Sequence, residues 1–114
     1  MKLIEKQINI KDLEEMAKAI FGDLVKAVVD IKKGIMAVNG ELHADEEAFL
    51  INHGSEQQNL WGINLYPEFR DEEDFVEFDS MINVRPSQNN KTRGIEDLGI
   101  QNKIREIVSK LITK

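Results

Sequence analysis

Two segments, one near each end of the chain, repeat apolar residues at helical spacing, and each carries only one apolar stripe. The first is Leu13, Met16, Ala17, Ile20, Phe21 and Leu24; the second is Ile100, Ile104, Ile107, Val108, Leu111 and Ile112. A helix with a single stripe must lay that side against something else. The segments between them alternate instead, as VKAVVDI (25–31), IMAVN (35–39) and LWGINLY (60–66) do, which is the period of strands. The expected fold class is therefore α+β: a mainly antiparallel five-stranded sheet, two long amphipathic helices on one face, and a short third helix. The second face of the sheet is expected to be solvated or free for self-association.

Local signals set the boundaries. KLIEKQI (2–8) reads as a partly exposed strand with Ile4 and Ile8 on one side. Asn9 is a candidate cap for the first helix, and Gly22 is available to end it. Lys33-Gly34 supplies a turn, and Asn39-Gly40 reverses the chain toward Glu41–His43 to complete a small meander. Residues 44–53 admit two readings. AFLIN pairs with LWGINLY as a hairpin, or the segment is a helix ended by Gly54; the acids of ADEE in a first turn favour the helix. FVEFDSMINVR (75–85) reads as the clearest strand, with Val76, Phe78, Ile82 and Val84 on one face and Glu77, Asp79, Asn83 and Arg85 on the other. Pro86 ends it, SQNNKTRG (87–94) is a polar loop, and the last helix runs over roughly 98–112.

The 114 residues suffice for one core, so residues 1–114 are read as a single domain. No apolar run approaches the roughly 20 residues that span a bilayer, and a cytoplasmic location fits. With no cysteine, disulfide frameworks, thiolate nucleophiles and zinc sites built on Cys are excluded. The net charge of −6 argues against nucleic acid as a partner of the whole surface. The charge is uneven, with 8 Lys/Arg against 18 Asp/Glu in residues 1–84 and 7 against 3 in residues 85–114. A local anion site in the last third is compatible with that balance.

Three groups carry chemistry. His43, Asp45, Glu46 or Glu47, and His53 supply imidazole and carboxylate, the ligand types of a divalent transition metal, with His43, Glu46 and His53 as the metal candidates. The spacing is not that of H-E-x-x-H, and a structural role for both histidines explains the same residues. Asn64, Tyr66, Asp79, Asn83 and Arg85 converge if LWGINLY and FVEFDSMINVR are antiparallel neighbours, giving either a ligand-orienting surface or ordinary cross-strand pairing. Arg85, Lys91 and Arg93, with Ser87, Gln88 and Asn90, offer cationic and amide donors near the last helix, although Glu96 and Asp97 already occupy its amino terminus. Ser55 lacks the G-x-S-x-G context of a nucleophile.

The strings GELHADEEAFLINHGSEQQNLWGINLYP (40–67) and INVRPSQNNKTRGIEDLGIQNKIREIVSKL (82–111) resemble a small family of uncharacterised prokaryotic domains carrying a HAD…GS…LWGxNLYP…RPSQ pattern. The resemblance spans nearly the whole chain and implies a prokaryotic, cytoplasmic source and no particular reaction. Where that pattern often has glycine, this chain has Asn39 and Asn89, which also tolerate left-handed backbone. The function expected is a non-catalytic module that binds a small polar or anionic ligand or a protein partner through Asn64, Tyr66, Asn83, Arg85, Gln88 and Arg93, with no cofactor and with a homodimer as a compatible assembly. The alternative is a small metal-assisted hydrolase or RNA-cleaving toxin-like enzyme using His43, Asp45, Asp79 and Arg85.

Overall fold

A computed structural model describes all 114 residues. Its centre is an antiparallel sheet of five strands: β1 (Lys2–Ile4), β3 (Val25–Asp30), β4 (Ile35–Val38), β5 (Leu60–Leu65) and β6 (Val76–Glu77), in the spatial order β1-β4-β3-β5-β6. β3 and β5 pair along their full length, with Val25 opposite Leu65 and Asp30 opposite Leu60. Alternation assigns Val25, Ala27 and Val29, with Ile63, Leu65 and Trp61, to one face. Against that face lie the stripes of α1 (Ile10–Ile20), through Leu13 and Ala17, and of α3 (Leu98–Leu111), through Ile104, Ile107, Val108 and Leu111. Each fully buried Leu or Ile there contributes about 2 kcal/mol of transfer free energy, so this layer is the main core.

Both long helices begin as their sequences specify. The Asn9 side chain accepts the Lys11 N–H at 2.8 Å, and the Asp97 carboxylate accepts those of Gly99 and Ile100 at 2.7 and 3.2 Å. Gly22 ends α1 with φ +96° and donates to the Ala17 carbonyl. Asn39 and Asn89, the residues standing where the resembling pattern has glycine, have φ of 69° and 61°. The left-handed turns survive the exchange.

Four expectations are corrected. The stretch 2–8 is two short strands. β1 pairs with β4, whereas β2 (Ile8–Asn9) leaves the main sheet and pairs in parallel with β7 (Ile112–Thr113). The meander ends at Asn39-Gly40, since the chain enters helix α2 (His43–Asn52) directly. The second sheet face is not solvated, because α2 covers β3 and β4 there and Leu50 packs with Val28, Ala37 and Leu60 in a second small core.

The fourth correction concerns 75–85. Only Val76 and Glu77 pair with β5, opposite Leu65 and Asn64; the chain then climbs onto the sheet face and turns at Met81–Asn83. Gly62 permits the climb. A Cβ there would lie 2.6 Å from the Ser80 side chain, so no other residue leaves room for the crossing chain. The backbone edge of β5 that β6 abandons is completed by side chains. Asn83 Oδ1 accepts the Gly62 N–H at 2.8 Å and Asn83 Nδ2 donates to the Gly62 carbonyl at 2.9 Å, while Arg85 Nη2 donates to the Leu60 carbonyl. The carboxamide has the two groups a paired strand would have offered.

Asn83→Ala should therefore cost about 2–4 kcal/mol, since it leaves both buried Gly62 groups without partners. Urea unfolding measures the loss, and amide exchange should speed up first at Gly62. A variant as stable as the parent would show that the edge bonds are replaceable.

Candidate functional site

α2 decides where the polar residues go. Apolar and polar residues are spread around this helix, and the side turned to the sheet is His43, Glu46 and Leu50, all buried. Acids in the first turn and Gly54 (φ +95°) after the last turn suit a helix, which is the reading favoured for 44–53.

The His43 ring donates from Nε2 to the Ile63 carbonyl at 2.8 Å, which leaves Nδ1 as its acceptor. Burial pushes its pKa below the ordinary value; the Ile63 carbonyl, Asp79 and the Asn64 side chain pull the other way, and Lys26 adds to the lowering. The imidazole is thus neutral at pH 7, with one nitrogen spent on backbone.

Glu46 lies wholly inside, beneath the Asn39-Gly40 turn. Its Oε2 accepts the Gly40 N–H at 3.0 Å, and a Cβ on Gly40 would sit 2.7 Å from Glu46 Cγ. Burial pushes the carboxyl up to about 9, although the Gly40 bond, Lys26 and the chain's amino terminus favour its charged form. Its other oxygen, Oε1, has no hydrogen-bond partner, which costs less for a neutral carboxyl than for a carboxylate.

Along the same face, Glu77 Oε1 accepts from Asn64 Nδ2 at 2.8 Å and from the Tyr66 hydroxyl at 3.0 Å. Burial pushes the Tyr66 hydroxyl up to about 12, and the bond to Glu77 and its charge add to this, so Tyr66 is a donor throughout the working range. Tyr66 and Glu77 also form one wall of an open cleft of ≈ 400 Å³, completed by Phe69, Glu73, Asp74, Val76 and Arg105. Arg105 is already engaged, donating to the Glu73 carbonyl at 3.2 Å and stacking on Phe78. The cleft therefore offers carboxylates and two aromatic rings.

The remaining sequence candidates are dispersed. Asn83 serves β5. Arg85 is buried over Trp61 with its ring system 4.6 Å away, donating to the Ile82, Gln57 and Leu60 carbonyls and, at 3.4 Å, to Gln88. Its nearest carboxylate is Glu47, at 3.7 Å. Gln88 also donates to the Gln58 carbonyl. Arg93 pairs with Asp79 at 2.6 Å, both half-exposed, an arrangement worth little in water. Asp45 points outward from α2, and His53 is exposed with Nδ1 on the Phe49 carbonyl at 2.7 Å. The metal candidates His43, Glu46 and His53 are not brought together, and no group of three His, Asp or Glu side chains is arranged to hold an ion. The sequence reading missed Glu77 as a site residue, though its alternation already set it beside Asp79 on the polar side. It also missed Phe69, Glu73 and Asp74, which lie in an acidic connection with no periodic signal.

A family model described as Protein of unknown function (DUF5674) matches residues 2–111. The chain belongs to that family. The family's description names no activity, in keeping with the resemblance seen in the HAD…GS…LWGxNLYP string. Comparison with curated proteins finds no match, and neither does comparison with solved structures. No helix is long and apolar enough to cross a membrane.

Glu46 makes the stability of this DUF5674 member pH-dependent in a definite direction. The folded chain holds the proton up to about pH 9, whereas an unperturbed carboxyl releases it near 4.5. The raised pKa means that this contribution is complete below 4.5, shrinks as the pH rises, and is gone beyond the folded value. Glu46→Gln keeps a neutral group of the same shape, so between about pH 5 and about pH 9 its stability should fall less steeply than the parent's. Urea midpoints across that range test this; parallel curves for the two proteins would mean that Glu46 is charged in the folded state.

Proposed function

We propose that the protein is a non-catalytic binding module that takes a small polar ligand bearing an ammonium or guanidinium group in the cleft beside Tyr66 and Glu77. One observation carries the reading: the Glu77 carboxylate is held by two donors, Tyr66 and Asn64, at the mouth of a cleft large enough for a small molecule. A carboxylate oriented in advance loses little freedom when a cation arrives. Glu73 and Asp74 add negative potential, and the rings of Tyr66 and Phe69, 6.3 Å apart, give a cation two aromatic surfaces. These features favour a positively charged ligand over the anionic one that the last third of the sequence implied. Its cationic candidates Arg85 and Arg93 are occupied by backbone carbonyls and by Asp79.

The same geometry favours binding over catalysis. His43 is neutral and turned to a backbone carbonyl, and Asp45 faces away from it. Resemblance to prokaryotic domains supports a cytoplasmic setting, in which polyamines, amino acids and guanidino compounds are all ligands of the required type.

Titrating the protein with putrescine, arginine and agmatine, followed by amide chemical shifts, should give saturable changes confined to residues 64–77 and Arg105. Glu77→Gln should weaken binding about tenfold, the equivalent of ~1.4 kcal/mol, while unfolding at the same urea concentration within error. Binding of phosphate or citrate at this cleft in place of the cations would overturn the assignment.

A further inference from the structure

The outward side of α2 carries an apolar stripe flanked by the exposed polar residues Asp45 and Asn52. With His43, Glu46 and Leu50 turned inward, Ala44, Ala48 and Ile51 follow one another along the exposed side, Ile51 being 42% exposed and Leu42, just ahead of the helix, 56%. Two alanines four residues apart leave a shallow stripe on which another helix can come close, since interaxial distance is set by the side chains at the contact. Methionine 81, Met81, on the turn that packs beside α2, extends the apolar area and is 66% exposed.

The two ends of the stripe carry opposite charge. Glu41 and Asp45 are exposed at its amino end. Lys32, Lys33 and His53 are exposed at its carboxyl end, where Lys33 Nζ rests on the Gly54 carbonyl at 2.9 Å and Glu56 is the one acid between residues 52 and 58. A stripe acidic at one end and basic at the other matches an identical stripe only when the two run antiparallel. That arrangement also opposes the two helix dipoles.

We propose that a second copy of this chain docks on this face, α2 against α2, about a two-fold axis passing near Ala48. Glu41 of each protomer, just ahead of the helix, then faces the partner's Lys33, which sits on Gly54 just beyond it, and the contact is isologous, as in most soluble dimers. The charges set direction and register while the Ala44–Ala48–Ile51 stripe and Leu42 supply the buried apolar area. Helices of under three turns bury an area at the low end for specific interfaces, so the dimer is a weak, micromolar one in equilibrium with monomer. This pairing uses none of the residues of the Tyr66–Glu77 cleft and stands independently of what that cleft binds.

Sedimentation velocity over a dilution series of the full chain tests the proposal. The expected result is a reversible monomer–dimer equilibrium that Ala48→Glu weakens at least tenfold by setting two carboxylates against each other on the axis. Because position 48 is exposed, the far-ultraviolet spectrum and melting temperature should stay at the parent's values. Glu41→Lys alone and Lys33→Glu alone should each weaken the dimer, and the two together should restore it, a rescue that damage to the fold cannot produce. A monomer at every concentration up to about 1 mM, or a dimer indifferent to Ala48→Glu, overturns the proposal. Failure of the double variant to restore association overturns the antiparallel arrangement.

Discussion

The outer edge of β5 is the constraint on which the second half of the structure depends. β5 is buried on both faces, so each backbone group along its free side needs a partner within the protein. β6 serves only two residues of it. Asn83 and Arg85 supply the rest, and to do so the chain from Ser80 to Asn90 must lie across the sheet and not beside it. The cost of that detour is met locally. Asn90 donates to the carbonyls of Asn83, Thr92 and Gly94 and accepts from the Glu96 N–H, so one buried carboxamide holds the whole loop in shape. Three of the polar residues that look available for ligands in the sequence are thereby parts of the frame.

This explains which parts of the fold are legible in the sequence and which are not. The helices α1 and α3 show their stripes, caps and stop residues because each is a long amphipathic element whose period dominates its neighbours. β3, β4 and β5 read correctly because short runs rich in apolar and β-branched residues are bounded by turn signals, and Asn39-Gly40 marks the turn after β4. The stretch 75–85 alternates as well as any of them, yet its direction is decided by a tertiary fact: Gly62 leaves a gap in the sheet face, and Ser80 fills it. No local pattern carries that information. The polar residues mislead in a related way. Alternation groups Asn83 and Arg85 with Tyr66, and once the alternation fails at residue 78 the grouping fails with it, whereas Asn64 and Tyr66, on a strand read correctly, do share a face with Glu77.

α2 shows how an interior can be assembled from groups that composition would place outside. A neutral carboxyl and a neutral imidazole are the two buried titratable groups on its inward side, each tied to a main-chain atom, of Gly40 and of Ile63. Apolar side chains of similar size would fill the same space, but they would slide; hydrogen bonds to particular backbone atoms fix the helix in one position along the sheet. That position presents the stripe of alanines outward and keeps Asn64 against Glu77. The two surfaces to which roles are assigned are thus set by the same pair of buried contacts.

The short parallel pairing of β2 with β7 has a kinetic consequence. Ile8 and Asn9 meet Ile112 and Thr113 with nearly the whole polypeptide looped between them. A contact spanning so much chain is entropically expensive to close and is made late, after the sheet has organised the two helices it joins. It then behaves as a clasp: α1 and α3 fray together or not at all, and the structure locks only once residues 112 and 113 are free to reach residues 8 and 9.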